Sequence, residues 1–252
     1  MEKKIKHRDF QAILLVLFLL IIYFSIVIAA EPEGGTIDFK SNSTKNITPP
    51  SSRNDTKGTI TTIVMTATQQ NTKWKAYVGN VTGTLVLRDA ADYSIYEWTS
   101  IGDPTGEVYI TRNDSIEWSN IKCANSTIID SEQVFLNHSP TSRDNINNTF
   151  SNQAHDSFWV GDVTEIQNST CWGTATWIND SSQTINEDSL FQEILLYDNT
   201  NLIYTTIIEQ NLQGYRNDSA TTYDFQAILP DNALPGSTGQ VTYYFYVEIE
   251  SG

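Results

Sequence analysis

The sequence predicts an all-β protein: an antiparallel two-sheet sandwich or jelly-roll-like domain with a short helical excursion, preceded by an N-terminal apolar helix. Three observations carry this. From residue 59 onward, short β-branched and aromatic runs alternate with a period of two. Gly, Asn, Asp and Pro punctuate those runs at turn spacing. The chain of 252 residues also holds 6 Trp, 12 Tyr and 10 Phe, enough bulk for a sizeable core.

Taken in order, residues 1–30 read as an export signal or a retained membrane anchor. Lys3, Lys4, Lys6 and Arg8 precede an uncharged run from Ala12 to Ala30. Positive charge before an apolar segment keeps the start in the cytoplasm and sends the following chain outward. Cleavage after Ala29 or Ala30 suits the small residues there. Residues 12–30 are also long enough to span a bilayer if uncleaved, so both outcomes stay open. A buried core helix fits poorly, because this segment has no polar face.

Residues 31–58 have little apolar content and read as a flexible Ser/Thr/Asn/Pro-rich stalk. Residues 59–252 then form the extracellular β domain. Ile60 to Met65 opens the β pattern. Trp74, Ala76 and Val78 share one face, with Lys73, Lys75 and Tyr77 on the other. Leu85/Leu87, Val108/Ile110 and Tyr243/Phe245/Val247/Ile249 continue the alternation. About ten to twelve strands fit, and the Cys123, Trp159, Cys171 spacing does not match an immunoglobulin domain. An internal echo between residues 83–98 and 106–118 predicts two successive hairpins of similar shape. Residues 124–156 break the pattern: 128–138 and 141–150 have helical spacing, with Ile146 and Phe150 four apart and Thr141 a candidate cap.

Charge excludes some partners. Fifteen Lys+Arg against 30 Asp+Glu give −15. Removing residues 1–30 takes away four basic and two acidic groups, leaving 11 against 28, or −17, on the exported part. Nucleic acid is excluded as a partner, because phosphate binding needs clustered Lys and Arg.

Asn-X-Ser/Thr triplets begin at Asn42, Asn46, Asn54, Asn80, Asn113, Asn125, Asn137, Asn147, Asn168, Asn179 and Asn217. With 52 Ser and Thr among 252 residues, 21 asparagines give roughly 4 such triplets by chance, so eleven point to glycan attachment on an exported surface. Pro49 and Pro140 weaken Asn46 and Asn137 as acceptors. No triplet follows Asn217, which predicts that the final strands are packed or paired. Cys123 and Cys171, the only cysteines, are most simply a disulfide in an exported protein.

Chemistry is sparse. No His-Glu-X-X-His and no Gly-X-Ser-X-Gly occurs, and His155-Asp156 reads as a loop-to-strand hydrogen-bonding pair. A glycosidase needs two facing carboxylates; Glu97 and Glu117 are the candidates, yet each precedes a Trp that strand geometry turns to the opposite face. No cofactor is predicted. Calcium is the one ion that acidic, oxygen-rich loops could hold, at Asp89 to Asp92, Asn186 to Asp188 and Asp198 to Asn201, but none matches a defined calcium loop. Tyr244 and Tyr246 share the face opposite Tyr243 and Phe245; exposed, they form a ligand platform, and covered by the helical excursion they are a second core face.

The stretch from Thr68 to Gly83 (TQQNTKWKAYVGNVTG) resembles a pattern in exported proteins encoded in archaeal genomes. Cys123-Ala124-Asn125-Ser126-Thr127, Asp144 to Phe150 and Tyr243 to Ile249 are similar too. The likeness covers residues 59–250 and implies an archaeal cell-surface β protein; no activity is assigned to such proteins, so no functional residue carries over. The expected role is therefore non-enzymatic: a glycosylated surface protein, structural or adhesive, whose partners are other surface proteins or glycans. A carbohydrate-binding module using exposed Trp and Tyr is the alternative, with a secreted carboxylate-dependent hydrolase third.

Overall fold

A computed structural model of the protein describes residues 31–98, 104–161, 163–236 and 239–250. The segment expected to act as signal or anchor lies outside these. Among the described residues no helix is long and apolar enough to cross a membrane.

The described residues are mostly β, with antiparallel sheets and two short α-helices. At their centre is a seven-stranded sheet. The long strands are β5 (Thr105–Thr111), β10 (Gln192–Tyr197), β11 (Leu202–Ile207) and β15 (Tyr244–Glu250). They lie in the order β15-β5-β11-β10, and every pairing is antiparallel. Short strands finish the edges. β1 (Glu33–Gly34) pairs with β15, while β6 (Lys122–Cys123) and β9 (Gly173–Ala175) both pair with β10. The sheet thus begins inside the region read as stalk.

Period-two alternation sends the side chains of these strands into two separate cores. Val108, Ile110, Leu195, Leu202, Tyr204 and Tyr243 face one side. Tyr109, Ile194, Leu196 and Ile203 face the other. Both sides are covered. Over the first lie the helices α1 (Ser126–Phe135) and α2 (Ile146–Thr149), contributing Ile129, Ile146 and Phe150. Beside them is a two-stranded pair, β2 (Trp74–Gly79) with β14 (Phe225–Pro230), which adds Ala227 and Leu229. Over the second side lie a 3-10 turn (Trp118–Asn120) and the hairpin of β7 (Phe158–Val160) with β8 (Thr164–Ile166). Complete burial of such side chains stabilises by about 1.5–3 kcal/mol each, so β5, β10 and β11, buried on both faces, dominate the stability.

Cys123 and Cys171 form the disulfide, with Cα atoms 4.9 Å apart and 48 residues between them in sequence. Both α-helices fall inside that loop. Their boundaries differ from the spacing argument. Asn125 Oδ1 accepts the Ile128 N–H at 3.1 Å and starts α1 two residues earlier than expected. The second helix shrinks to four residues capped by Asn145, whose Oδ1 accepts the Asn148 N–H at 2.8 Å. Thr141 loses the capping role because asparagine is the stronger cap and stands directly before Ile146. Asp144 is held elsewhere: the Ser142 hydroxyl, with Asn71 and Lys73, lowers its carboxyl to about 2.

Two expectations fail locally. Residues 60–65 form no strand. The internal echo is not a repeated hairpin: β3 (Val86–Arg88) and β4 (Ser94–Glu97) do make one, whereas β5 is a central strand between β15 and β11. A shared Gly-apolar-Arg pattern sets local extension, and long-range burial decides the partner.

Candidate functional site

The outer margin of β15 brings together the features predicted for ligand contact. Tyr244 is 38% exposed, while Tyr246 is half-buried with its ring 5.3 Å from Trp118 in an edge-to-face arrangement. Burial raises the Tyr246 phenol above its ordinary value. The 3-10 turn at Trp118 is what covers this face; the helical excursion covers the opposite one, against Tyr243. Tyr243 is buried there and its hydroxyl donates to the Pro230 carbonyl at 2.6 Å. A groove of about 310 Å³ runs along this margin, lined by Gly34, Gly35, Ile37 and residues 243–246. β1 pairs with this edge at Tyr246 and Val247, and the Gly35 N–H donates to the Phe245 carbonyl at 3.0 Å.

A second concavity of about 320 Å³ lies between α1 and the ends of β5 and β11. Arg112 is clamped within it. Its Nε and Nη2 donate to the two oxygens of Glu132 at 2.6 Å each, and its guanidinium sits 3.8 Å from the Phe135 ring centroid. One edge and one face of that cation are thus engaged, so it anchors α1 to the end of β5.

Two acidic features escaped the sequence reading. Glu107 and Glu248 are cross-strand partners on β5 and β15, only 2% and 9% exposed. The Tyr109 hydroxyl donates to Glu248 Oε2 at 2.9 Å and lies 3.4 Å from Glu107 Oε2; the Gly161 N–H donates to Glu248 Oε1 at 2.8 Å. Burial, then the Glu250 and Glu248 carboxylates, push the Glu107 carboxyl well above its ordinary range. The Tyr109 hydroxyl thus lies between the two carboxyl groups. Gly161 and the Trp159 carbonyl roof the cluster, which braces β5 and β15 against the β7 segment. On β10, Glu193 is fully buried; Oε2 accepts the Ile228 N–H at 2.9 Å, and Oε1 has no hydrogen-bond partner among the described residues. Burial holds its carboxyl well above the usual range. Acidic residues inside otherwise apolar runs, GEVYI, QEILL and YVEIE, were the available signal.

The proposed carboxylate pair is not assembled this way. Glu97 is exposed on β4 beside an exposed Trp98. Glu117 is exposed before a buried Trp118, and its Oε1 accepts the Ser119 hydroxyl at 2.8 Å. His155 ties the loop to the disulfide. Its Nε2 accepts the Thr170 and Cys171 N–H groups at 3.1 and 2.9 Å, leaving Nδ1 to donate to the Asp156 carbonyl at 2.6 Å. His138 Nε2 lies 2.9 Å from the Asp231 carbonyl.

The oxygen-rich loops close on themselves. Asp198 Oδ1 accepts the Thr200 and Asn201 N–H groups, and Oδ2 accepts the Glu117 N–H, which builds the turn between β10 and β11. Asp89 Oδ1 accepts the Ala91 and Tyr93 N–H groups, and Glu187 accepts Asn168 and Ser169. Among the described residues no group of three or more His, Cys, Asp or Glu side chains could hold a metal ion. No protein-family model, curated protein or solved structure matches the chain.

Proposed function

We propose that the protein is an exported, glycosylated cell-surface protein with an envelope-structural or adhesive role and no enzymatic activity of its own. Residues 1–30 export or anchor it, residues 31–58 form a stalk that lends β1 to the central sheet, and residues 59–252 form the rest of a disulfide-closed β-sandwich-type domain outside the cell. The observation that carries the reading is the position of the asparagines. All eleven sequon asparagines are exposed, from Asn42, Asn46 and Asn54 through Asn80, Asn113, Asn125, Asn137, Asn147, Asn168 and Asn179 to Asn217. Every asparagine that is buried or half-buried, namely Asn145, Asn152, Asn201 and Asn232, lies outside a sequon. Attachment of a bulky polar glycan demands an exposed acceptor, and none of the eleven is buried. The Cys123–Cys171 bridge fits the oxidising side of a membrane.

Mass spectrometry of protein taken from the source cell surface tests this. Glycans on several of the eleven asparagines, with both cysteines oxidised, is the expected result; bare sequons together with free thiols overturn it. Exposed tryptophans favour sugar binding as the second reading: Trp98, Trp159, Trp172 and Trp177 are 50%, 44%, 38% and 52% exposed. A specific glycan-array signal lost on Trp→Ala substitution would shift the role to that of a carbohydrate-binding module.

A further inference from the structure

Asn179 occupies the tip of a two-residue hairpin. The Ile178 and Ser181 backbones exchange both hydrogen bonds, at 3.0 and 2.9 Å. Asn179 and Asp180 take φ of 51° and 59°, the left-handed pair that such a tight turn requires. The loop after β12 (Leu212–Gln213) lies against this tip. Its Gly214 carbonyl accepts the Asn179 N–H at 2.9 Å, and its Tyr215 carbonyl accepts the Asp180 N–H at 2.7 Å. Gly214 has no room for a side chain, since a Cβ there would stand 2.3 Å from the Tyr223 ring. Gln213 Nε2 donates to Asn179 Oδ1 at 3.3 Å. The amide is thereby held by its oxygen, and its nitrogen, the atom that carries a glycan, has no partner among the described residues. At Asn80, Asn113, Asn125, Asn137, Asn147 and Asn168 the same nitrogen already donates to a neighbouring side chain.

The same junction gathers exposed aromatic rings. Trp177 directly precedes the turn and is 52% exposed, and Tyr215 is 37% exposed. One buried side chain sets both backbones. Gln226 on β14 donates through Nε2 to the Trp177 carbonyl at 3.1 Å, and its Oε1 accepts the Tyr215 N–H at 2.8 Å. The Tyr215 ring is fixed as well. It stacks on Tyr223 of β13 (Thr222–Tyr223), with centroids 6.1 Å apart and 14° between the planes. Arg216 Nε donates to its hydroxyl at 2.9 Å. The aromatic surface is therefore ordered by the fold before any ligand reaches it, which lowers the cost of binding. Aromatic faces are electron-rich, so the C–H face of a sugar ring packs on them.

We propose that the glycan carried by Asn179 folds back onto Trp177 and Tyr215, so that this aromatic surface is a seat for the protein's own sugar. A ligand tethered two residues from its site meets it at an effective concentration of about millimolar. Even a weak stacking contact is then filled, and a free glycan is outcompeted. The inference rests on the glycosylated-surface reading and specifies what one of its glycans does.

The test uses the full chain from the source cell surface and the same chain with Ser181→Ala, which removes the sequon and keeps the Asn179–Gln213 contact. Glycopeptide mass spectrometry is expected to find Asn179 occupied in the parent and bare in the variant. Hydroxyl-radical footprinting then reads each ring. Stacking covers one face, so Trp177 and Tyr215 are expected to label about twofold or more slowly in the parent. Trp98, 50% exposed, should label equally in both. An intact Cys123–Cys171 bridge and an unchanged circular-dichroism spectrum show that the variant folds, and Asn179→Gln removes the glycan by a second route. An empty Asn179 beside occupied sequons, labelling indifferent to either variant, or equal protection of Trp98 each overturns the proposal and leaves the glycosylated-surface reading standing. Labelling relieved only by Ser219→Ala would give the seat to the Asn217 glycan and overturn it too. A glycan-array signal from the parent that is lost in Trp177→Ala would give the seat to a foreign sugar, with the same result. Bare asparagines at every sequon remove the reading itself, and the proposal with it.

Discussion

Strand β5 and residues 59–65 have comparable sequences and opposite fates. GEVYI is buried from Gly106 to Ile110, while Ile60, Val64 and Met65 stand at 87% exposure or more. The hairpin of β3 and β4 repeats the contrast: Leu87, Tyr93, Ile95, Tyr96 and Trp98 are each at least half exposed. Two-residue periodicity shows that a segment suits a sheet. It is silent on whether the sheet partner belongs to the same chain. The central strands find partners through long-range pairing within the molecule, and the segments before residue 99, β2 apart, remain largely outside both cores.

Truncation is the sharpest way to break this comparison. Phe150 is 1% exposed, with its ring 5.8 Å from Tyr204 and 6.2 Å from Trp74. Phe150→Ala is expected to cost about 3–5 kcal/mol, whereas Val64→Ala in the monomer should stay within about 0.5 kcal/mol. Denaturant unfolding of both variants measures the gap, and equal losses would mean that residues 59–65 pack in solution. Next in size is the disulfide. Cys123→Ser with Cys171→Ser is expected to cost about 2–5 kcal/mol, the 48-residue loop alone accounting for about 4 on the chain-entropy model. Guanidinium midpoints of oxidised and double-serine protein measure it, and a loss under about 1 kcal/mol would show that β10 already holds both strands without the bridge.

The core strands were legible where burial and alternation agree. Tyr243, Phe245 and Val247 read correctly as one face, and two cysteines in an exported chain read as one bridge. The partner of each strand was not legible, because β5 pairs with β15 across more than 130 residues and no local signal specifies that register. Capping was half legible: an asparagine cap looks the same in sequence as a sequon, and Asn125 is both. The buried acids were hidden for a related reason. Glutamate in a strand ordinarily marks the solvent face, and in these strands both faces are covered.

Those acids give the smallest effect and a test of how complete the covering is. In the unfolded chain Glu193 releases its proton near its ordinary value of about 4.3, whereas in the fold burial holds the proton to higher pH. Between the two the folded state binds more protons than the unfolded, so stability falls as pH rises, by up to about 1.4 kcal/mol per pH unit for each such group. Below the unfolded value both states are protonated and the effect vanishes. Glu107 has the same sign for the same leading cause. Glu193→Gln is therefore expected to flatten the decline between pH 4.5 and 7 and to raise stability at pH 7, while leaving it nearly unchanged at pH 3.5. Glu107→Gln in the same chain should remove most of the remaining slope. Thermal midpoints across that range measure both, and a parent protein that gains stability from pH 4.5 to 7, with variants that follow it, would show that water reaches β10 between the sheet and β14.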